Sequence, residues 1–228
     1  MVASSEAAVG SARELLELAD WRRRVEDLYA RVRAASDPAE AWRLWRAARD
    51  ELFARHPQSP LPEDGRADFR GLPYFDHDPA ARALATVVPT EPFTLDIATS
   101  GDGSFDERVP RERVAAVRHK ALAFTRFGSA RFELGGEGFA LQLYWLEGYG
   151  GGLYVPFADA TSGTTTFGGG RYLLDTVKGA DLGTIGDRLV LDFNFAYNPS
   201  CSYDPRWACP LAPPANRLPV EIRAGERV

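Results

Sequence analysis

Leu18, Trp21, Val25, Leu28 and Val32 recur at steps of three and four, which lays one apolar stripe along a helix over residues 11–35 whose other face is charged. Asp37-Pro38-Ala39-Glu40 then reads as a helix start: an N-cap, a proline at the first helical position, and a carboxylate three residues beyond the cap. The second helix carries Trp42, Trp45, Ala48, Leu52 and Phe53 inward and spaces Arg46 and Asp50 to pair on its surface. His56-Pro57 ends it, because the residue before a proline resists helical geometry. Proline recurs from Ser59 to Pro92, which predicts a long irregular strap anchored by Phe69, Leu72, Tyr74 and Phe75. From Phe93 the pattern changes to period two in short segments: 93–97, 122–127, 130–134, 139–146, 152–157, 164–167, 171–175, 189–195 and 219–223. Gly128-Ser129 and Gly135-Gly136-Glu137-Gly138 read as hairpin connections between them. The expected fold class is α+β: a disordered start at 1–10, a helical hairpin at 11–56, a Pro-rich strap at 57–92, and a mainly antiparallel barrel or sandwich at 93–228 with a Pro-rich C-terminal segment.

Two segments concentrate polar groups. In Leu189 to Asn198 the odd positions are apolar or aromatic, whereas the even ones include Asp192, Asn194 and Asn198. On a strand this makes one face core and leaves the other as wet exterior or as the lining of a cavity. The second segment runs from Phe157 through Asp159 and Ser162-Gly163 to Gly168-Gly169-Gly170-Arg171. Ser162 there suits a turn closed by side-chain hydrogen bonds. Arg171 can fork onto a carboxylate or phosphate of a ligand, or pair internally with Asp159 or Asp192.

Charge and composition narrow the function. The chain has 228 residues and a net charge of −5, and the ten arginines of its first 55 residues are matched one for one by Asp and Glu. No stripe of one sign presents itself to a nucleic acid. No run of 18 uncharged apolar residues exists and the N-terminus lacks a secretory pattern, so the expectation is a cytoplasmic protein with no membrane partner. Cys201 and Cys209, separated by seven residues, are close enough to bridge, in a compartment that normally keeps thiols reduced.

Familiar chemical motifs fail. Gly168-Gly169-Gly170 lacks the Gly-Lys-Ser/Thr ending of a phosphate loop, and Gly148 to Leu153 places leucine where a dinucleotide motif ends in glycine. His56, His77 and His119 stand far apart with no zinc-ligand spacing, so no metal is assigned, although His77 between Asp76 and Asp78 is the best metal or acid–base candidate. Ser162 has no histidine partner in its vicinity and no nucleophile elbow surrounds it. No cofactor follows from these residues.

Several long motifs in order carry a resemblance. They are Trp45-Arg46-x-x-Arg49-Asp50-x-x-Phe53 with Ser59-Pro60-Leu61; Phe69-x-Gly71-Leu72-x-Tyr74-Phe75; Pro156 to Gly163; Thr166 to Leu173; and Leu191 to Pro199 with Cys201, Tyr203, Cys209-Pro210 and Asn216-Arg217-Leu218. Over most of its length, from about Trp21, the chain resembles the bacterial domain-of-unknown-function family 1684. That family shows Thr-Tyr-Gly-Gly-Gly-Arg where this chain has Phe167, which argues against an essential phenol there. The resemblance supplies no activity. It adds a set of polar groups from separate segments, so that Asp159, Arg171, Asn194, Tyr197, Asn198 and Asn216, with Arg46 and Arg49 from the helix, are expected to form one pocket for a small polar or anionic molecule. Arg171 would act as clamp, Asn194 and Asn198 as orienting amides, and Tyr197 as stacking or hydroxyl partner. The alternatives are a hydrolase or transferase using Asp159 as base or Tyr203 as acid, and a non-catalytic interaction module in which these residues staple loops and the Trp-rich helix meets a partner.

Overall fold

The computed structural model describes the backbone of residues 2–100 and 121–228, with side chains for 12–100 and 122–228. The expectation for residues 1–10 and the candidate His119 lie outside the described side chains. Helix α1 spans Val2–Ala34 and α2 spans Pro38–Arg55. The cap of α2 forms as its sequence implies, with Asp37 Oδ1 accepting the Ala39 N–H at 2.8 Å. At the other end the His56 N–H reaches the Leu52 carbonyl at 2.9 Å, and the chain leaves in extended geometry before Pro57.

Seven strands follow: β1 Arg82–Ala98, β2 Ala121–Leu134, β3 Glu137–Leu146, β4 Gly152–Phe157, β5 Arg171–Asp175, β6 Thr184–Ile185 and β7 Arg188–Asp192. They pair in the order β5-β4-β3-β2-β1-β7-β6, antiparallel throughout, and the sheet curls into a half-barrel. The fold class is α+β, with the helical pair first and the sheet after it. Phe124, Phe132, Leu141, Leu143, Val155, Phe157, Leu173 and Leu191 belong to the core, each buried. Trp45 of α2, wholly buried, stands edge-on to Tyr74 at 5.5 Å and to Phe195 at 5.3 Å, which ties the helices to the strap and to the segment beyond β7. Among the described residues no helix is long and apolar enough to cross a membrane.

Four local expectations change. Gly128-Ser129 is no turn, because β2 runs through it; the register shifts against both neighbours there, opposite Pro89 to Phe93 of β1. A bulge absorbs residues that cannot continue the ladder, and prolines belong at such places. β1 accordingly begins at Arg82, within the stretch expected to be strap. Residues 164–167 and 219–223 form turns and irregular chain rather than strands, and β7 stops at Asp192 to enter a short helical turn at Phe193–Phe195. Beyond that point alternation no longer sorts inside from outside: Phe193 to Asn198 are all buried, Asn194 and Asn198 included.

Candidate functional site

Three polar centres account for the residues singled out in the sequence, Asn216 excepted. The first forms around Arg171 at the head of β5. Gly170 precedes it at φ 90°, where a side chain would strike the Phe157 carbonyl at 2.6 Å, so the strand can enter only through glycine. Arg171 Nη2 donates to Asp159 Oδ2 at 2.6 Å and to the Ile222 carbonyl at 2.9 Å. Its Nη1 donates to the carbonyls of Ala224 and Glu226, the latter at 3.3 Å. Burial pushes the guanidinium pKa down, and the Asp159 charge and hydrogen bond oppose that. Asp159 Oδ1 accepts the Thr161 N–H at 2.6 Å and the Thr161 hydroxyl. Both partners are buried, with Asp159 held between Arg171 and Thr161 and the terminal nitrogens of Arg171 turned to Asp159 and the C-terminal segment.

The second centre shares that segment. Gly225, at φ 78°, passes 2.6 Å from the Ala196 carbonyl measured at the position of an added Cβ, and thereby turns Glu226 inward. Glu226 Oε2 accepts Arg49 Nη2 at 2.8 Å and the Asn198 N–H at 3.1 Å, while the Tyr203 hydroxyl donates to Oε1. Arg49 also donates to Tyr74 Oη at 2.9 Å, and its guanidinium lies about equally close to the Trp45, Phe53 and Tyr197 rings, at 4.9, 5.1 and 5.0 Å. Burial pushes the Glu226 carboxyl up, opposed by Arg49, Tyr203 and the Asn198 amide. Asn198 Nδ2 reaches the Arg227 carbonyl at 2.9 Å. Thus Arg171, Asp159, Arg49, Tyr197 and Asn198 do meet, around residues 222–227. Asn216 stands apart: it holds both backbone groups of Gln142, at 2.7 and 3.1 Å, and the Pro156 carbonyl at 2.7 Å. Glu226, the anion at the middle of the second centre, carries no local sequence signal.

The third centre lies where α2, the Tyr74–Asp78 stretch and β7 meet. Asn194 clasps Asp78 through its N–H at 2.9 Å and its carbonyl at 2.8 Å, and donates to Asp192 Oδ1 at 2.9 Å. His77, next to Asp78, packs on Trp42 at 5.5 Å between ring centroids. Arg46, one turn along α2, lies over both Trp42 and Tyr74, at 4.7 and 4.8 Å. Here the hydrogen bonding is incomplete at four atoms together: Trp42 Nε1, Arg46 Nε, His77 Nε2 and Asp192 Oδ2 are buried with no partner in the chain, whereas the hydrogen-bonded residues of the first and second centres leave one each, Arg171 Nε and Asn198 Oδ1. The nearest cation to Asp192 Oδ2 is Arg82 at 3.8 Å, an ion pair beyond hydrogen-bond reach.

Burial pushes the Asp192 carboxyl above its ordinary value, with the Asn194 hydrogen bonds opposing it. A carboxyl raised in the folded state binds its proton more tightly there than in the unfolded chain. Its contribution to stability is complete below the unfolded pKa, about 4, and is lost as pH climbs through the folded value. Comparing urea midpoints of the native chain and Asp192→Asn over a pH series, we expect the native chain to show a decline above about pH 4 that the variant lacks. Parallel curves would exclude the shift.

Among the described residues no group of three or more His, Cys, Asp or Glu side chains is placed to hold a metal ion, and His77 belongs instead to the third centre. No curated protein matches the chain. An uncharacterised protein of Haloarcula marismortui, solved by solution NMR, is similar at 36% identity and a TM-score of 0.54, over 80% of this chain and 90% of that one. That neighbour is archaeal, so the likeness reaches beyond bacteria. The family described as "Protein of unknown function (DUF1684)" matches residues 67–227, a span that holds β1 to β7, Arg171, Glu226 and the Asn194 clasp, and the chain belongs to it.

Proposed function

We propose that the protein binds a small polar molecule carrying an anionic group, and that recognition falls to the third centre. The observation that carries this reading is the set of four buried polar atoms on Trp42, Arg46, His77 and Asp192 with no partner in the chain. A buried donor or acceptor left unmatched costs about 1–3 kcal/mol, and folded proteins rarely tolerate several at one place without a ligand or ordered water to complete them. The chemistry of the set is mixed. Arg46 and Trp42 offer N–H donors and a positive charge to an anionic group, Asp192 offers an acceptor to a hydroxyl or amine, and His77 can serve either end. The rings of Trp42 and Tyr74 hold Arg46 in place without consuming its Nε.

In this reading Arg46 and Asn194 keep the roles expected of them, as contact and as positioning amide. Arg171, Asp159, Arg49, Asn198 and Asn216 hold the scaffold, because most of their polar atoms are turned to internal partners and only Arg171 Nε and Asn198 Oδ1 among them are left over, one in each of two separate centres, while Tyr197 packs its ring against Arg49. No catalytic residue is assigned. Asp159 is held by Arg171 and Thr161, and Tyr203 by Glu226, which leaves neither free to move a proton to a substrate.

Thermal shift with inorganic phosphate, acetate and a panel of small hydroxy- and amino-carboxylates tests the reading. A ligand bound only by the folded state raises Tm by about 2.7 kcal/mol of added stability at a hundred times its Kd, a shift of several degrees for a chain of this size. The rise is expected to saturate in the native chain and to vanish in Arg46→Gln and His77→Gln. If no compound shifts Tm, and a high-resolution structure shows ordered waters satisfying all four atoms, the centre is structural and the proposal fails.

A further inference from the structure

We propose that Cys201 and Cys209 form a thiol–disulfide exchange site, in which the half-buried Cys201 attacks a small disulfide and the pair then closes to an internal bridge. They are the chain's two cysteines, both free, and neither is among the residues of the ligand centre proposed above. The Cys201 N–H donates to Cys209 Sγ at 3.3 Å, and the two side chains share a hydrogen bond. Backbone on either side fixes Cys209: its carbonyl accepts the Ser100 N–H at 2.9 Å and its N–H donates to Ser100 Oγ at 3.0 Å. The next carbonyl, that of Pro210, accepts both the Tyr154 and the Tyr172 hydroxyls, at 2.8 and 2.6 Å. The sulfur atoms therefore meet in a loop already closed, so bridging needs little further ordering of the chain.

The two cysteines are unequal. Cys209 is 4% exposed, whereas Cys201 is half-buried and nearer to solvent. Lys178, ion-paired with Asp175 at 3.2 Å and lying over Tyr172 at 5.2 Å, brings a positive charge to this corner. The hydrogen bond from the Cys201 thiol, and then Lys178, pull the Cys209 pKa down against the effect of burial; the same hydrogen bond pushes Cys201 up. Of the two sulfurs, Cys209 is thus the one biased toward the thiolate and Cys201 the one biased to keep its proton. The cation and the hydrogen-bond donor favour the thiolate form of Cys209, which places a base beside the Cys201 thiol, the sulfur nearer to solvent.

The chemistry follows from that proton. As Cys201 sulfur attacks one sulfur of a disulfide R–S–S–R, its proton passes to Cys209, the R–S–S–R bond breaks and one RS⁻ leaves. Cys209, now the thiol, loses this proton to the departed RS⁻, giving RSH. Its sulfur then attacks Cys201 sulfur and expels the second RS⁻. The protein pair is oxidised by two electrons and the disulfide is reduced to RSH and RS⁻.

The full native chain, incubated with oxidised glutathione, quenched in acid and weighed intact, tests this. The expected product is a chain lighter by two hydrogens with no lasting glutathione, restored by dithiothreitol. Cys209→Ser is expected to stop at one glutathione on Cys201, and Cys201→Ser to stay unmodified over the same time. Lys178→Met is expected to slow bridging several-fold. An unmodified native chain, a stable adduct on both cysteines without a bridge, or Cys201→Ser reacting as fast as Cys209→Ser would each overturn the proposal. The native-chain mass decides the matter even if a variant fails to fold.

Discussion

Arg171→Met is expected to cost about 3–5 kcal/mol of stability, the range for breaking a buried ion pair and leaving its partner uncompensated. The side chain does more than neutralise Asp159. Its two terminal nitrogens also satisfy the carbonyls of Ile222, Ala224 and Glu226, and no other described side chain donates to these three. Methionine fills much of the same volume beside the Phe157 ring, so the loss is one of charge and hydrogen bonding rather than packing. Urea denaturation measures it, and Tm should fall by about 10 °C for a chain of this size. Asp159→Asn added to Arg171→Met should recover part of the loss, since a neutral amide is far cheaper to bury than a carboxylate, while Thr161 still donates to its oxygen. A change below about 1 kcal/mol in the single variant would mean that solvent reaches the pair, as it does in surface ion pairs. Arg171 would then be open to a ligand after all.

That arginine shows how far the sequence could be read. Three glycines before it and aspartates at 159 and 192 left the readings open, a clamp on a ligand or an internal pair with Asp159 or Asp192, and the structure pairs it with Asp159. Periodicity cannot choose between them, because the choice depends on the tail returning to lay three carbonyls beside the guanidinium. The helices were legible because their stripes are long and a cap marks the second one, signals that local physics imposes without help from distant chain. The hairpin at 135–138 was legible for the same reason, with Gly135 and Gly136 in left-handed geometry at its tip. Gly128 misled because glycine between apolar segments marks a turn and a bulge alike, and the partner strand, with Pro89 and Pro92, decides which. In the candidate site Arg46, Asn194 and His77 each stood out, but Trp42 read as core and Asp192 as one polar position among several. What joins them is the clasp of Asn194 on Asp78, a contact across 116 positions that no spacing rule anticipates.

Glu226→Ala should prove as damaging as the loss of Arg171, about 3–5 kcal/mol. The segment around it is woven into the fold. Glu226 and Arg227 donate their N–H groups to the carbonyls of Ala196 and Pro73, at 2.9 Å each, and Val228 reaches Thr165 at 3.1 Å. The Glu226 side chain is the one carboxylate on which Arg49 of α2, Tyr203 and the Asn198 amide converge, so it couples the helical pair, the strap and the chain beyond β7. Removing it leaves the Arg49 guanidinium, 12% exposed, among three aromatic rings with only Tyr74 Oη as acceptor. Glu226→Gln keeps an oxygen for Arg49 or Tyr203 but not the charge, and is expected to lose about half as much, since hydrogen bonds to charged groups are roughly twice as strong as neutral ones. Arg49→Met combined with Glu226→Leu should be far milder than the sum of the two single changes, because an apolar pair leaves no stranded charge. Calorimetry of the two single variants and the double measures this. Additive losses would show that Arg49 and Glu226 act separately, and that the tail is held by its backbone hydrogen bonds alone.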